Sequence, residues 1–207
     1  MRHAFTFPSN AKKAVKEHID KAIARIAPER YQQEATYIAA LAISLEGVAY
    51  DGSDGHVEFQ ATVVNDRGPN SAEKWSGADF AITATISDTE QTIKKAILIQ
   101  AKLGRIDELP PSKKQGLIEQ IKKMKQLTRS PKVMEITEIN SSRIPLIISA
   151  NRILDEACYE SYELPDYFTR RVLTTFDGDT RPDFVERVQK SSLNLFRVTA
   201  KLTKEIL

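Results

Sequence analysis

An aspartate and a glutamine–lysine pair stand at the ends of two predicted strands, in a pattern suited to holding a hard metal ion beside a phosphate. Asp79 opens the apolar segment 78–86, Gln100 lies in the apolar segment 95–101, and Lys102 directly follows it. Carboxylate, amide and carbonyl oxygens are the ligands that Mg²⁺ takes in proteins, and a nearby cation stabilises charge developing on phosphate. These residue types favour metal-assisted hydrolysis of a phosphodiester bond.

Strand geometry decides which of these side chains can meet. Successive residues of a strand point to opposite faces, so Gln100 and Lys102 share a face while Ala101 points into the core with its carbonyl free to face a metal. The polar sequence SDTEQTIKK between the two strands is typical of a hairpin turn. If the strands pair, Asp79 and Lys102 lie near the same end of the sheet. The alternative is a sheet-end ion pair beside a hydrogen-bonded glutamine.

Hydrophobic periodicity predicts the elements that position these residues. Helical spacing is found in segments 11–26, 29–45 and 113–127. Strand patterns are found in segments 56–64, 78–86, 95–101, 133–136 and 146–149. The tract 47–55 is rich in turn residues, and the chain from 151 onwards is mainly helical, with a turn at Asp177-Gly178-Asp179. This order predicts one domain of the α/β class (α+β type), with a small mixed sheet flanked by helices.

The stretch GADF, followed by a strand, a polar turn and LIQAK, resembles the core of the PD-(D/E)xK nuclease superfamily. It is most similar to the Mrr-like variant, in which glutamine replaces the usual acid of the E-x-K element. The resemblance implies a restriction-endonuclease-like core over residues 29–149, with a four-stranded mixed sheet in the order α-β-β-β-α-β. Residues 1–28 would then form a helical N-terminal extension, and residues 150–207 a mainly helical C-terminal extension.

The resemblance also implies roles for individual residues. Asp79 would be the essential metal ligand, Gln100 a weak or water-mediated ligand, and the Ala101 carbonyl a further ligand. Lys102 would orient the attacking water and stabilise charge on phosphate. Glu34, in the helix before the first strand, would complete the catalytic set and the metal site, although a glutamate on an exposed helix face is also commonplace. The implied cofactor is Mg²⁺, with Mn²⁺ as a substitute.

The implied partner is nucleic acid, and DNA in particular, with a role in restriction or anti-phage defence. Assembly into a homo-oligomer or a larger defence complex is left open. A second interpretation is a catalytically silent member of the fold that acts as a nucleic-acid-binding or assembly subunit. A third is a structural protein whose match to the motif is accidental.

The predicted helix 113–127 is strongly basic on one side. Its apolar positions Leu117, Ile121 and Met124 predict a buried stripe. Three cations that follow one another at spacings of three and four could track a phosphate backbone, namely Lys122, Lys125 and Arg129. A solvated helix face explains the same lysines equally well.

Composition limits the remaining classes. Thirty basic against 28 acidic residues give a net charge of +2, too small to indicate a polyanionic partner without local clustering. The single cysteine, Cys158, excludes an intramolecular disulfide. The apolar stretch 38–45 is too short to span a bilayer, and the N-terminal residues lack the apolar segment of a secretory signal. These features predict a cytoplasmic protein with no membrane partner.

Overall fold

A computed structural model describes residues 5–64, 72–137, 144–155, 160–174 and 176–203. The α-helices are α1 (Ser9–Ala24), α2 (Glu34–Leu45), α3 (Ala72–Ser76), α4 (Pro111–Leu127), α5 (Ala150–Leu154), α6 (Leu164–Tyr167) and α7 (Pro182–Gln189). The strands are β1 (Gly47–Gly52), β2 (Gly55–Thr62), β3 (Phe80–Ser87), β4 (Thr92–Leu103), β5 (Lys132–Ile136), β6 (Leu146–Ser149), β7 (Ser161–Glu163) and β8 (Asn194–Leu202). A short 3₁₀ helix covers Pro28–Arg30, and a π-helical turn covers Phe168–Val172. Within the described residues, no helix is long and apolar enough to cross a membrane.

The strands form one mixed sheet of eight, in the order β1-β2-β8-β3-β4-β5-β6-β7. The pairs β3–β8 and β4–β5 are parallel, and the other neighbours are antiparallel. β3 and β4 are joined by a hairpin in which Phe80 pairs with Ile99 and Ser87 with Thr92. The mixed α/β architecture predicted from the periodicities is therefore confirmed.

Helices cover both faces of this sheet because β3 and β4 are apolar on both faces. On one face, Ile97, Ile99 and Ala101 of β4 pack with residues of α1, α2 and α6. On the other face, Ala96 and Leu98 pack with α4, α5 and α7. β4 is thus enclosed on both faces, as expected for a strand in the interior of an α/β fold.

Two expectations about the sheet were wrong. The sheet is not small, because the turn-rich tract 47–55 contributes β1, an edge strand whose half-exposed residues lack a clear alternation. The C-terminal part of the chain, predicted to be a mainly helical extension, contains helices but is not an extension of the core, because its strand β8 lies in the middle of the sheet between β2 and β3. The elements α2, β2, β3, β4, α4 and β5 still follow one another along the chain, but β2 and β3 are not neighbours.

Candidate active site

The turn that leads into β3 is fixed by a glycine. Gly77 has a positive φ of 74°, and a Cβ at this position would collide with the main-chain carbonyl of Gln120 in α4. A side chain is therefore excluded both by the conformation and by the close approach of the helix. The next residues are held by hydrogen bonds from the Ala78 N–H to Ser76 Oγ (3.1 Å) and from the Asp79 N–H to the Ile99 carbonyl (3.0 Å). Asp79 is thereby placed against the end of β4.

The Asp79 carboxylate is hydrogen bonded to two consecutive residues of β4. Its Oδ2 accepts the Ala101 N–H at 2.7 Å and also accepts the side-chain amide of Gln100. Since Phe80 pairs with Ile99, Asp79 stands opposite Gln100 on the antiparallel ladder, and the two side chains share a face. The expected meeting of Asp79 with the Gln100-Ala101 segment is therefore present in the structure.

Gln100 is the most informative residue of this group. It is only 1% exposed, and its Nε2 donates both to Asp79 and to the Ala101 carbonyl (3.2 Å). Its Oε1 is buried and has no hydrogen-bond partner among the described residues. The amide NH₂ thus bridges the two oxygens that are predicted to bind a metal, while the amide oxygen of Gln100 is left without a hydrogen bond.

This arrangement fits a small hard cation. Rotating the Gln100 amide by half a turn exchanges its nitrogen and oxygen. Oε1 would then lie beside the Asp79 carboxylate and the Ala101 carbonyl, and three oxygens of different kinds would face one point. Such a cluster repels itself unless a cation lies between its members, and oxygen ligands of this kind suit Mg²⁺. The residues present are therefore compatible with the implied metal.

Lys102 is half-buried and follows the alternation of β4. Ala101 packs in the core on the face of α1 and α2, as predicted, so Lys102 and Gln100 project to the opposite face, toward α4. Asp79 and Lys102 therefore share a face of the sheet. In the parallel ladder, Lys102 pairs with Glu135 of β5.

Glu135 is an acid of this region that sequence reasoning missed. Its side chain is buried, and its Oε1 accepts the Ile106 N–H at 2.6 Å. Burial raises the pKa of this carboxyl, and the Ile106 hydrogen bond opposes the rise. A usable signal was present in the sequence, because a glutamate between two apolar residues of a strand, as in the VMEI of β5, is unusual.

Glu34 reaches the same end of β4 from the other side. It is the first residue of α2, and its Oε1 accepts the Leu103 N–H at 3.5 Å. Glu34 and Lys102 line one open cleft of about 360 Å³. Glu34 therefore contacts Leu103, the residue after Lys102, whereas the Asp79 carboxylate is hydrogen bonded to Gln100 and Ala101.

The far wall of this cleft is formed by α4. Its apolar stripe Leu117, Ile121 and Met124 is buried, as predicted. The lysines of α4 that line the cleft are Lys113 and Lys123.

The three cations predicted to bind nucleic acid are exposed, but they do not line this cleft. At about 100° per residue, Lys122 and Lys125 lie roughly 140–200° around the helix from Gln120, which does line the cleft. Arg129 follows the end of the helix at Leu127. Of the lysines of α4, Lys113 and Lys123 are therefore the ones placed to contact a phosphate inside the cleft, together with Lys102 of β4.

Few acidic residues lie at this site. Among the described residues, no three side chains of histidine, cysteine, aspartate or glutamate converge in a way that could hold a metal ion. A cation at this position would depend on the Asp79 carboxylate and on neutral oxygens, with Glu34 at the nearby cleft. No protein-family model matches the chain, and neither a curated protein nor a solved structure does.

Proposed function

We propose that this chain is a metal-dependent nuclease that hydrolyses phosphodiester bonds of DNA at the ends of β3 and β4. The observation that carries the proposal is the Gln100 amide. It is buried, it bridges Asp79 and the Ala101 carbonyl through its nitrogen, and its oxygen has no hydrogen-bond partner among the described residues. A purely structural glutamine would gain stability by satisfying that acceptor, because an unsatisfied buried polar atom costs about 1–3 kcal/mol.

The residues of the proposed site would have different roles. Asp79, Gln100 and the Ala101 carbonyl would hold the cation, and Lys102 projects from the same face of β4 as Gln100. The chemistry supplied by a bound Mg²⁺ is neutralisation of phosphate charge and acidification of a water molecule. Lys102 would orient an attacking water through its N–H donors and would offset the negative charge that develops on the phosphate oxygens. Glu34 shares the cleft with Lys102 and is placed to accept a hydrogen bond from a water there.

The basic wall of the cleft would guide the substrate. α4 has no acidic residue in its first turn, and Lys113 lies there, where the positive end of the helix dipole disfavours a cation. A lysine at this position is better explained by a phosphate ligand than by helix stability. Two lysines and one acid of α4 line the cleft, so the wall opposite Glu34 and Lys102 has a net positive charge; these residues are Lys113, Lys123 and Glu119.

The neutral Gln100 and the absence of a three-acid cluster in the described residues favour one competing function. The chain could use the same fold as a catalytically silent subunit that binds nucleic acid. A role in restriction or anti-phage defence rests on the resemblance of the D…QAK core alone. Both interpretations predict binding of DNA, and they differ in cleavage.

The test is a plasmid cleavage assay with Mg²⁺, Mn²⁺ or EDTA. Wild type should nick or linearise the plasmid only with metal, and Asp79→Asn should abolish cleavage. Lys102→Ala should reduce cleavage by about 100-fold or more, as expected when a charge-stabilising donor is removed. The matched control is Lys94→Ala, which removes an exposed lysine from the same strand far from Asp79.

Two outcomes would contradict the nuclease proposal. Cleavage that persists in EDTA and in Asp79→Asn would show that the activity does not come from this site. DNA binding by wild type without cleavage under any metal would favour the silent subunit.

A further inference from the structure

A second polar cavity, unrelated to the proposed active site, lies on the opposite face of the sheet. It has a volume of about 280 Å³ and is bounded by β5, β6, β7, α6 and the π-helical turn. Lys132 and Ser149, which line it, lie at the start of β5 and the end of β6 on the face that packs against α1 and α2. The size is that of a site for a small molecule and not for a nucleic-acid duplex.

The π-helical turn directs an arginine into this cavity. The Leu173 N–H bonds to the Phe168 carbonyl (2.9 Å), so the turn is one residue wider than an α-helical turn, a distortion frequent at functional sites. The Arg171 guanidinium lies over the ring of Tyr162 at 5.1 Å and near that of Phe176 at 5.7 Å. Phe176 is 69% exposed, which is unusual for a large aromatic side chain.

Positive charge is concentrated around one partly buried carboxylate. Asp177 lies 3.1 Å from the Lys132 ammonium and 3.7 Å from Arg171 Nε. The buried Lys95 donates to the main-chain carbonyls of Asp177 (2.7 Å) and Arg171 (3.4 Å). Burial lowers the pKa of Lys95 to about 7, so this amine is partly charged at neutral pH. The cations gathered here outnumber the single carboxylate that they share.

Two hydrogen-bond donors at the cavity make no well-formed hydrogen bond within the described residues. Tyr167 is 1% exposed and lines the cavity, and its hydroxyl makes no hydrogen bond of acceptable geometry within the described residues, although Asp177 lies near it. Burial, then the charge of Asp177 and a weak hydrogen bond to that carboxylate, hold the pKa of Tyr167 well above its ordinary value, so the hydroxyl keeps its proton. Arg171 Nε is likewise buried without a hydrogen-bond partner. Buried donors without partners cost stability, and both of these border the same space.

We propose that this cavity binds a small phosphate-bearing ligand of about the size of a nucleoside monophosphate. Its phosphate oxygens would accept hydrogen bonds from Tyr167, Arg171 and Lys132, and its planar organic part would lie toward the exposed ring of Phe176. A negatively charged group that only accepts hydrogen bonds can bond to both Tyr167 and Arg171 and offsets the local excess of positive charge. A neutral or cationic ligand does not offset that charge. At the exposed edge of the cavity, Glu160 is engaged by the Tyr162 hydroxyl (2.8 Å).

Calorimetry with AMP, inorganic phosphate and adenosine, in the absence of divalent metal, tests the proposal. AMP should bind saturably, inorganic phosphate more weakly, and adenosine not at all. Tyr167→Phe removes only the hydroxyl and should weaken AMP binding by roughly tenfold, the value of one hydrogen bond to an anion. The same variant should raise the melting temperature of the ligand-free protein, because it deletes an unsatisfied buried group.

The control variant is Tyr37→Phe. Tyr37 is also fully buried with an unpartnered hydroxyl, but it lies on the buried face of α2 and does not line the cavity. It should raise the melting temperature and leave AMP binding unchanged. Equal loss of AMP affinity in both variants, adenosine binding as tightly as AMP, or no saturable binding of AMP or phosphate to wild type would each overturn the proposal.

Discussion

Replacing Gln100 by glutamate should make the stability of the protein depend on metal. The change removes the Nε2 hydrogen bond to the Asp79 carboxylate and places a second carboxylate against it in a position that is 1% exposed. A hydrogen bond to a charged group contributes about 1.5–3 kcal/mol, and the repulsion of two buried carboxylates adds to its loss. We expect Gln100→Glu in EDTA to lose about 3 kcal/mol, or roughly 6–12 °C in melting temperature for a chain of this length.

Mg²⁺ should reverse much of this loss, because the variant offers two carboxylates and the wild type one. A ligand present at 100 times its dissociation constant stabilises the folded state by about 2.7 kcal/mol. The assay is thermal unfolding of both proteins in EDTA and across a Mg²⁺ titration, with melting temperature as the readout. The rise on adding Mg²⁺ should be several degrees larger for the variant than for wild type.

The matched control is Gln60→Glu. The exposed Gln60 donates to Glu58 Oε1 at 3.5 Å, so the same substitution again sets two carboxylates side by side, but in solvent and away from β4. Its effect should stay within about 0.5 kcal/mol and should not respond to Mg²⁺. If Mg²⁺ raises the melting temperatures of wild type and Gln100→Glu equally, the oxygens around Gln100 are not a metal site.

Two further predictions concern lysines. Lys113→Ala should weaken DNA binding and lower the slope of log K against log salt by about 0.7–0.9, the value of one phosphate contact. Lys122→Ala, on the far side of α4, should leave that slope unchanged. Equal slopes in both variants would show that the cleft is not part of the DNA-binding surface. Burial lowers the pKa of Lys95 from 10.5 to about 7, so the unfolded chain binds more protons between these values and stability rises with pH. From pH 6 to 8.5 the gain should be about 2 kcal/mol by urea unfolding, and Lys95→Met should flatten that rise; a rise that persists in the variant would assign it to other groups.

Much of the candidate site could be predicted from local sequence because it follows from the alternation of one strand. The period of two placed Gln100 and Lys102 on one face and Ala101 in the core, and the short polar turn between β3 and β4 set Asp79 opposite Gln100. These relations depend only on residues close together in the chain. The buried stripe of α4 follows from its own periodicity in the same way.

The features that were missed depend on contacts between distant parts of the chain. β8 has Phe196, Val198 and Ala200 at strand spacing, yet its place between β2 and β3 is set by pairing with segments more than a hundred residues away. Which lysines face the cleft depends on the rotation of α4 against the sheet, and α4 comes close to the turn before β3 where Gln120 lies against Gly77. Periodicity within a helix identifies its buried stripe but not which exposed side meets a site.

β4 separates the two proposed sites and should keep them energetically independent. Gln100 faces α4, whereas Lys95 faces the opposite side of the sheet and holds the segment that carries Arg171 and Asp177. The strand between them is paired with β3 on one edge and β5 on the other and is buried on both faces, so it has no second arrangement to adopt. Coupling between sites requires an element with two states. The changes in unfolding free energy of Gln100→Glu and Tyr167→Phe should therefore add within about 0.5 kcal/mol in the double variant. A deviation above roughly 1 kcal/mol in urea unfolding would show that the cavity and the metal site communicate through the sheet.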